Sequence, residues 1–172
     1  MYTREQINAA LTKVKEQLKT EEIVHGKAHE FLDLDPVVEE YIFNMNQILV
    51  FNSNEYSSKL SHACSTTGCI GGWLFTELRN NGKQWKLTNF QDKLGVEDEA
   101  RKFIRWASDT DPVLKTLFYP PEGIDYNHIS NDDAVRAIDS YLNTGSVDWY
   151  ALLGLVEGVD YINAETNEDH PW

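Results

Sequence analysis

The residues of this sequence best suited to chemistry are two cysteines, Cys64 and Cys69, in a stretch rich in small residues. Cys69 stands where a helix is predicted to begin, and Gly71, Gly72 and Trp73 follow it. The positive end of a helix dipole lowers the pKa of a thiol, which would favour the thiolate form of a cysteine at this position. The two glycines allow another helix or a ligand to approach closely.

A nucleophilic cysteine is one interpretation of this stretch. In a small cysteine-dependent enzyme, Cys69 would attack the substrate and His128 would act as the general base. Asp132 or Asp133 would then orient the imidazole. Papain-type enzymes also place a cysteine at a helix start near a tryptophan, but the spacing, the absence of Gln before the cysteine and the small size of this chain do not match them.

A zinc-stabilised binding module is a second interpretation. His25 and His29 are four positions apart and would share one face of a predicted helix. Cys64 and Cys69, separated by four residues, would complete a tetrahedral Cys2His2 set.

A third interpretation is structural, because free cysteines are among the residues most often buried and both would pack the helix start against a neighbouring helix. The structural interpretation is favoured, so we predict no cofactor and a binding protein more than an enzyme.

Apolar residues at helical spacing predict most of the elements that position these side chains. A capping box at Thr3 and Gln6 begins the first helix. Asp35-Pro36 starts a helix whose broad apolar stripe, residues 38–49, makes it central to the core. Another helix opens at Val96 with an acidic first turn. The remaining predictions are helices at 21–32, 69–78, 130–144 and 146–155, a short element at 112–118 and a long loop at 52–68.

Strand signals are scarce, and the runs 48–51 and 85–87 form at most a weak pair. The predicted fold is mainly α: a single compact domain of about six to seven helices, with or without a small two-stranded element. The domain is predicted to span residues 1–159, and residues 160–172 are predicted to form an acidic, flexible tail.

The charge is unevenly distributed along the chain of 172 residues, whose formal net charge is -13. Residues 97–172 contain 16 acidic and 5 basic residues, whereas residues 1–96 contain 12 acidic and 10 basic residues. Such a surface repels phosphate backbones and anionic lipid, so direct binding to nucleic acid or to a membrane is disfavoured. The N-terminal residues lack the apolar core of a signal peptide and no apolar run is long enough to span a membrane, so the expected location is the cytoplasm.

An acidic, aromatic-bearing C-terminal part is able to dock on a basic surface of another protein, including a surface that normally holds nucleic acid. The residues predicted to bind such a partner are Asp139, Asp148, Asp160 and Glu165. A solvated acidic surface that only keeps the protein soluble is the alternative. The oligomeric state is left open by the sequence.

Several short motifs between about residues 45 and 150 resemble a pattern of many small, uncharacterised proteins of bacteriophages and bacteria. That pattern is C-G-T-x-x-C-I-A-G-W, then L-G-L-x-x-E-A, an L-F turn and T-G-x-V-x-W. The matching residues here are Cys64, Thr66, Cys69, Ile70, Gly72, Trp73, Leu94-Gly95-Val96, Glu99-Ala100, Leu117-Phe118-Tyr119-Pro120 and Thr144-Gly145-Ser146-Val147-Asp148-Trp149. Ser65 stands where Gly is usual and Gly71 where Ala is usual, and these small-for-small differences are expected to preserve the packing.

The resemblance implies a phage-type origin and a shared fold, without a particular reaction. We therefore expect a non-enzymatic accessory protein that binds a basic host or phage protein, in the cytoplasm of the host cell. Inhibitors used in anti-defence or host takeover, some of which imitate the charge of nucleic acid, fit this profile by analogy.

Overall fold

The structure, a computed structural model, describes residues 2–26, 41–52, 65–80 and 90–159. Within these ranges the chain is mainly helical, which confirms the predicted fold class. The helices are α1 (Arg4–Lys19), α2 (Ile70–Asn80), α3 (Phe90–Thr110), α4 (Pro112–Phe118), α5 (Asn131–Thr144) and α6 (Trp149–Leu153), with a 3-10 helix at Tyr126–His128. The strands are β1 (Val24–His25), β2 (Tyr41–Phe43), β3 (Leu49–Asn52) and β4 (Ser65–Gly68).

Local capping residues determine where several of the helices begin and end. The predicted capping box at Thr3 and Gln6 is present at the start of α1. Ser130 and Asp133 form a second capping box at the start of α5, and Gly145 ends that helix with a φ of 67°. Each of these signals acts over three or four residues, so the sequence alone was sufficient to identify them.

Two other helix starts differ from the prediction. Asp148, not Ser146, caps α6, because its side chain accepts a hydrogen bond from the amide of Ala151. α3 begins at Phe90, so Val96 and the acidic residues after it lie inside the helix. Asp92 supplies the acidic residue of its first turn instead.

The four strands form one sheet in the order β1-β2-β4-β3, larger than the two-stranded element considered from the sequence. β1, β2 and β4 are parallel, and β3 runs antiparallel to β4. The run 48–51 does contain a strand, β3, but its partner is β4. The predicted partner, residues 85–87, lies outside the described residues.

The helices predicted at 21–32 and 38–49 are wrong in their described parts, which contain β1, β2 and the start of β3. Short apolar runs fit helix and strand patterns alike, and β-branched and aromatic types such as those at 41–43 favour strands once neighbouring strands supply backbone partners. β4 also lies within the predicted loop 52–68. Residues 27–40 and 53–64 lie outside the described residues.

The core is built around α2, which packs against α1 on one side and α3 on the other. All of its residues from Ile70 to Glu77 are buried. Gly71 and Gly72 permit this close packing: a β-carbon on Gly71 would lie 2.9 Å from the side chain of Ile104, and one on Gly72 would overlap the backbone carbonyl of Ile48. The sequence predicted that another element approaches these glycines closely. Ile104 of α3 and the backbone of Ile48, just before β3, are the groups that do so.

Helix α5 completes the core by packing against α1, while α4 packs against α3. The described helices share one cluster of buried apolar side chains. In the part of the chain that the structure describes, no helix has the length and apolar character needed to cross a membrane.

Candidate functional site

Cys69 lies directly before α2 and its side chain is buried in the core, as the structural interpretation predicted. Its Sγ donates a hydrogen bond to the carbonyl oxygen of Ile48, 3.6 Å away, and only 4% of the residue is exposed. Burial raises the pKa of the Cys69 thiol, and the backbone hydrogen bonds of Gly72 and Gly71 at the helix start lower it by less. The predicted lowering of this pKa is therefore wrong, because desolvation outweighs the helix terminus.

Of the proposed catalytic partners of Cys69, His128 and Asp133 are engaged elsewhere and Asp132 is exposed. His128 ends the 3-10 helix, and its Nδ1 lies 3.0 Å from Oδ2 of Asp125, so Asp125 occupies the orienting position assigned to Asp132 or Asp133. Asp132 is exposed in the first turn of α5, and Asp133 closes the capping box of that helix. The side-chain hydrogen bond of Cys69 goes to a backbone carbonyl instead of to an imidazole. The structure does not bring a Cys-His-Asp set together.

His25 does not lie on the helix that the predicted zinc site requires. His25 lies in β1, where its Nε2 is 3.0 Å from the carbonyl oxygen of Asn127. His29 and Cys64 lie outside the described residues. Over the ranges that the structure describes, no group of three or more His, Cys, Asp or Glu residues is arranged to hold a metal ion.

Asn44 is a buried polar residue that the sequence pattern does not indicate. Its Nδ2 donates to the carbonyl oxygen of Gly26 at 2.7 Å and to Oδ1 of Asn127 at 3.3 Å, while its Oδ1 accepts from the amide of Asn46. These bonds join the ends of β1 and β2 to the 3-10 helix. Since each polar atom of the Asn44 amide group has a partner, we assign the residue a structural role.

Two of the predicted partner-binding acids have structural roles. Oδ1 of Asp139 lies 2.8 Å from Nζ of Lys15 and so joins α5 to α1. Asp148 caps α6. Asp160 and Glu165 lie outside the described residues. Charge reversal at Asp139 or Asp148 would thus disturb the fold as well as the surface.

A different set of carboxylates is exposed and unpaired. Among the residues that the structure describes, no hydrogen bond or ion pair engages the side chains of Glu5, Glu21, Asp109, Glu122, Asp132 or Glu157. Three of these six belong to residues 116–159, a segment with seven acidic residues and one basic residue, Arg136. The sequence indicated the acidic segment, but only the hydrogen bonds of the folded chain separate the capping acids from the free ones.

An open cavity of about 540 Å³ lies where the N-terminal end of α1, the C-terminal end of α3, the start of α4 and the end of α5 meet. Tyr2, Arg4, Trp106, Asp111 and Tyr141 contribute its aromatic and polar lining. The sequence pattern does not indicate this cavity, since its residues come from segments that are distant along the chain.

Tyr141 is a perturbed group in this cavity. Its hydroxyl donates a hydrogen bond to Oδ2 of Asp111 at 3.2 Å. Burial, together with the charge of Asp111 and this hydrogen bond, raises the pKa of Tyr141 to about 12. Asp111 also caps α4, because its Oδ1 accepts from the amides of Val113 and Leu114.

Several described residues of the phage-like motifs are packed in the core. No family model, curated protein or solved structure matches the chain. The resemblance accordingly stays a prediction, but the roles of its residues are visible: Cys69 and Trp73 are core residues at the start of α2. Trp149 is 1% exposed, and its Nε1 donates to the carbonyl oxygen of Thr116 at 2.7 Å. Leu117 and Phe118 are buried as well.

Proposed function

We propose that this protein is a non-enzymatic binding protein that docks on a basic surface of another protein. The observation that carries the proposal is the set of exposed, unpaired carboxylates, Glu122, Asp132 and Glu157, within the acidic segment 116–159. Carboxylates that already cap helices or pair with lysines have little left to offer a partner. Free carboxylates on one segment attract a cationic surface and speed association with it.

The burial of Cys69 favours a binding function over a catalytic one. A nucleophilic cysteine requires an accessible thiolate, whereas Cys69 is buried and its pKa is raised. The described motif residues Cys69, Trp73 and Trp149 are used for packing. Binding proteins that share one fold recognise different targets when their buried residues are alike and their exposed residues differ.

On the motif resemblance, we place the protein among phage-type accessory proteins, and its target is then a host or phage protein. Inhibition of a nucleic-acid-binding protein is the form of activity that the charge best fits, since a basic surface made for phosphates also accepts carboxylates.

The first experiment is affinity purification of the tagged full chain from a bacterial host lysate at low and at high salt, with the bound proteins identified by mass spectrometry. We expect a stoichiometric partner with a basic surface that is released at high salt, because screening weakens attraction between exposed charges. A bait that retains no protein at low salt would contradict the proposal.

The second experiment locates the interface by triple charge reversal. We expect the Glu122→Lys/Asp132→Lys/Glu157→Lys variant to bind the partner about tenfold more weakly or worse, mainly through slower association. The matched control is Glu5→Lys/Glu21→Lys/Glu22→Lys, which changes the net charge equally on exposed residues outside the acidic segment. Equal losses in both variants would mean that net charge alone matters and that segment 116–159 is not the interface.

A further inference from the structure

The cavity at the ends of α1, α3, α4 and α5 combines aromatic walls with one unpaired positive charge. The rings of Tyr2 and Trp106 each pack against Phe103, with centroids 5.9 Å apart in both pairs. Phe103 is buried, while both outer rings are only partly buried and line the cavity. The two rings are therefore held by the core and present apolar surface to the space between the helices.

The polar side chains that line the cavity differ in whether they already have a hydrogen-bond or ion-pair partner within the protein. The hydroxyl of Thr110 donates to the carbonyl oxygen of Trp106 at 2.8 Å, and that of Tyr141 donates to Asp111. The carboxylate of Asp111 accepts hydrogen bonds from that hydroxyl and from two backbone amides. Arg4 is exposed, and in the described part of the chain its guanidinium forms no hydrogen bond or ion pair. The charge that lacks a partner at this site is therefore positive.

We propose that this cavity binds a small organic anion with a flat aromatic body, such as an aromatic carboxylate. The planar guanidinium of Arg4 pairs with a carboxylate through two parallel hydrogen bonds. Tyr2 and Trp106 provide the surfaces on which an aromatic ring packs. A volume of about 540 Å³ is in the range of small-molecule sites. An inorganic anion would occupy only a small fraction of that space and would leave both rings uncovered.

The ligand site is independent of the proposed protein-binding surface. None of the unpaired carboxylates Glu122, Asp132 and Glu157 lines the cavity. The ligand class follows from the cavity lining and from Arg4, so failure of either proposal leaves the other standing.

The test is a calorimetric titration of the full chain with benzoate, 2-naphthoate and indole-3-acetate, each compared with its neutral amide, and with inorganic phosphate. We expect at least one carboxylate to bind about tenfold more tightly than its amide and more tightly than phosphate. Absence of binding by all three carboxylates, or equal affinity for carboxylate and amide, would overturn the proposal. Phosphate binding as tight as that of the carboxylates would do so as well, because an aromatic body would then add nothing.

Two variants locate the site. Arg4→Gln is expected to abolish the preference for carboxylate over amide while leaving the melting temperature nearly unchanged, because Arg4 is exposed and unpaired. Lys115→Gln is the matched control: it removes a cation that is exposed on α4 and does not line the cavity, so binding should be unaffected. An Arg4→Gln variant that retains the preference, or a Lys115→Gln variant that loses it, would place the anion elsewhere.

Discussion

At the scale of single residues, Cys69 is subject to two opposing effects. The start of α2 favours a thiolate through its backbone N-H groups, and burial disfavours it through the loss of solvation. Burial dominates, because the thiol lies within the core beside the carbonyl of Ile48. The spacing of the sequence places a cysteine at a helix start, but it does not reveal how many other elements cover that cysteine.

The first prediction concerns the reactivity of Cys69. We expect iodoacetamide to modify Cys69 in the folded protein at neutral pH at least about tenfold more slowly than in denaturant, since both burial and the raised pKa suppress the thiolate. Peptide mapping by mass spectrometry measures modification at this residue alone. Modification faster than that of a model peptide thiol would restore the nucleophilic interpretation.

The second prediction concerns Tyr141, whose pKa is raised to about 12. The ordinary tyrosine pKa is about 10, so the contribution of Tyr141 to stability is fully present below that pH and is lost as the pH rises towards 12. Asp111→Asn keeps a capping side chain on α4 but removes the negative charge, so the pKa of Tyr141 should fall. Ultraviolet titration of tyrosinate, with Tyr141→Phe to assign the transition, measures the change. An unchanged pKa in Asp111→Asn would mean that burial alone causes the shift.

At the scale of elements, α2 is positioned by its glycines. Gly72→Ala would force the backbone near Ile48 to move, so we expect a loss of more than about 3 kcal/mol in the free energy of unfolding, or failure to fold. Gly95→Ala is the matched control in α3, where nothing lies near the added carbon. There alanine should stabilise by about 0.5–1 kcal/mol through helix propensity. Urea denaturation compares both, and a Gly72→Ala variant as stable as wild type would disprove the close approach.

The contact between α1 and α2 includes an ion pair with one buried partner. Nζ of Lys13 lies 2.7 Å from Oε1 of Glu77, whose side chain is only 4% exposed. Lys13→Met leaves a buried carboxylate without its partner, so we expect a loss of about 1–3 kcal/mol. Adding Glu77→Gln should recover part of that loss, as thermal or urea denaturation of the single and double variants will measure. Strictly additive losses would show that the pair is not coupled.

At the scale of the whole molecule, the excess of negative charge opposes compaction. The formal net charge is -13, and self-repulsion at that charge destabilises the folded state at low ionic strength. Raising the ionic strength from about 0.01 M to 0.15 M shortens the Debye length from about 30 Å to about 8 Å, so the melting temperature at neutral pH should rise. This rise in melting temperature with salt should be small at a pH near the isoelectric point of about 4.7. A fall in melting temperature with salt would mean that ion pairs such as Lys15–Asp139 outweigh the repulsion.

Features that depend on near neighbours followed from the residue types and their spacing. The capping residues Thr3, Ser130 and Gly145 act within one helical turn, so their types and spacing were enough to place the start of α1 and both ends of α5. The mainly helical class also followed from apolar spacing. The acidic character of the C-terminal part is a property of composition and needs no fold.

Features that depend on distant neighbours became visible only in the folded chain. Residues 41–43 are a strand because β1 and β4, far away in sequence, supply their backbone partners. We expect Cys69 to be unreactive because several elements bury it. Asp139 forms an ion pair because the packing of α1 against α5 brings Lys15 close to it. The cavity at Arg4 and Trp106 exists only where four helix ends meet. Burial, long-range pairing and cavities are properties of contacts between segments, and no local pattern of residue types encodes them.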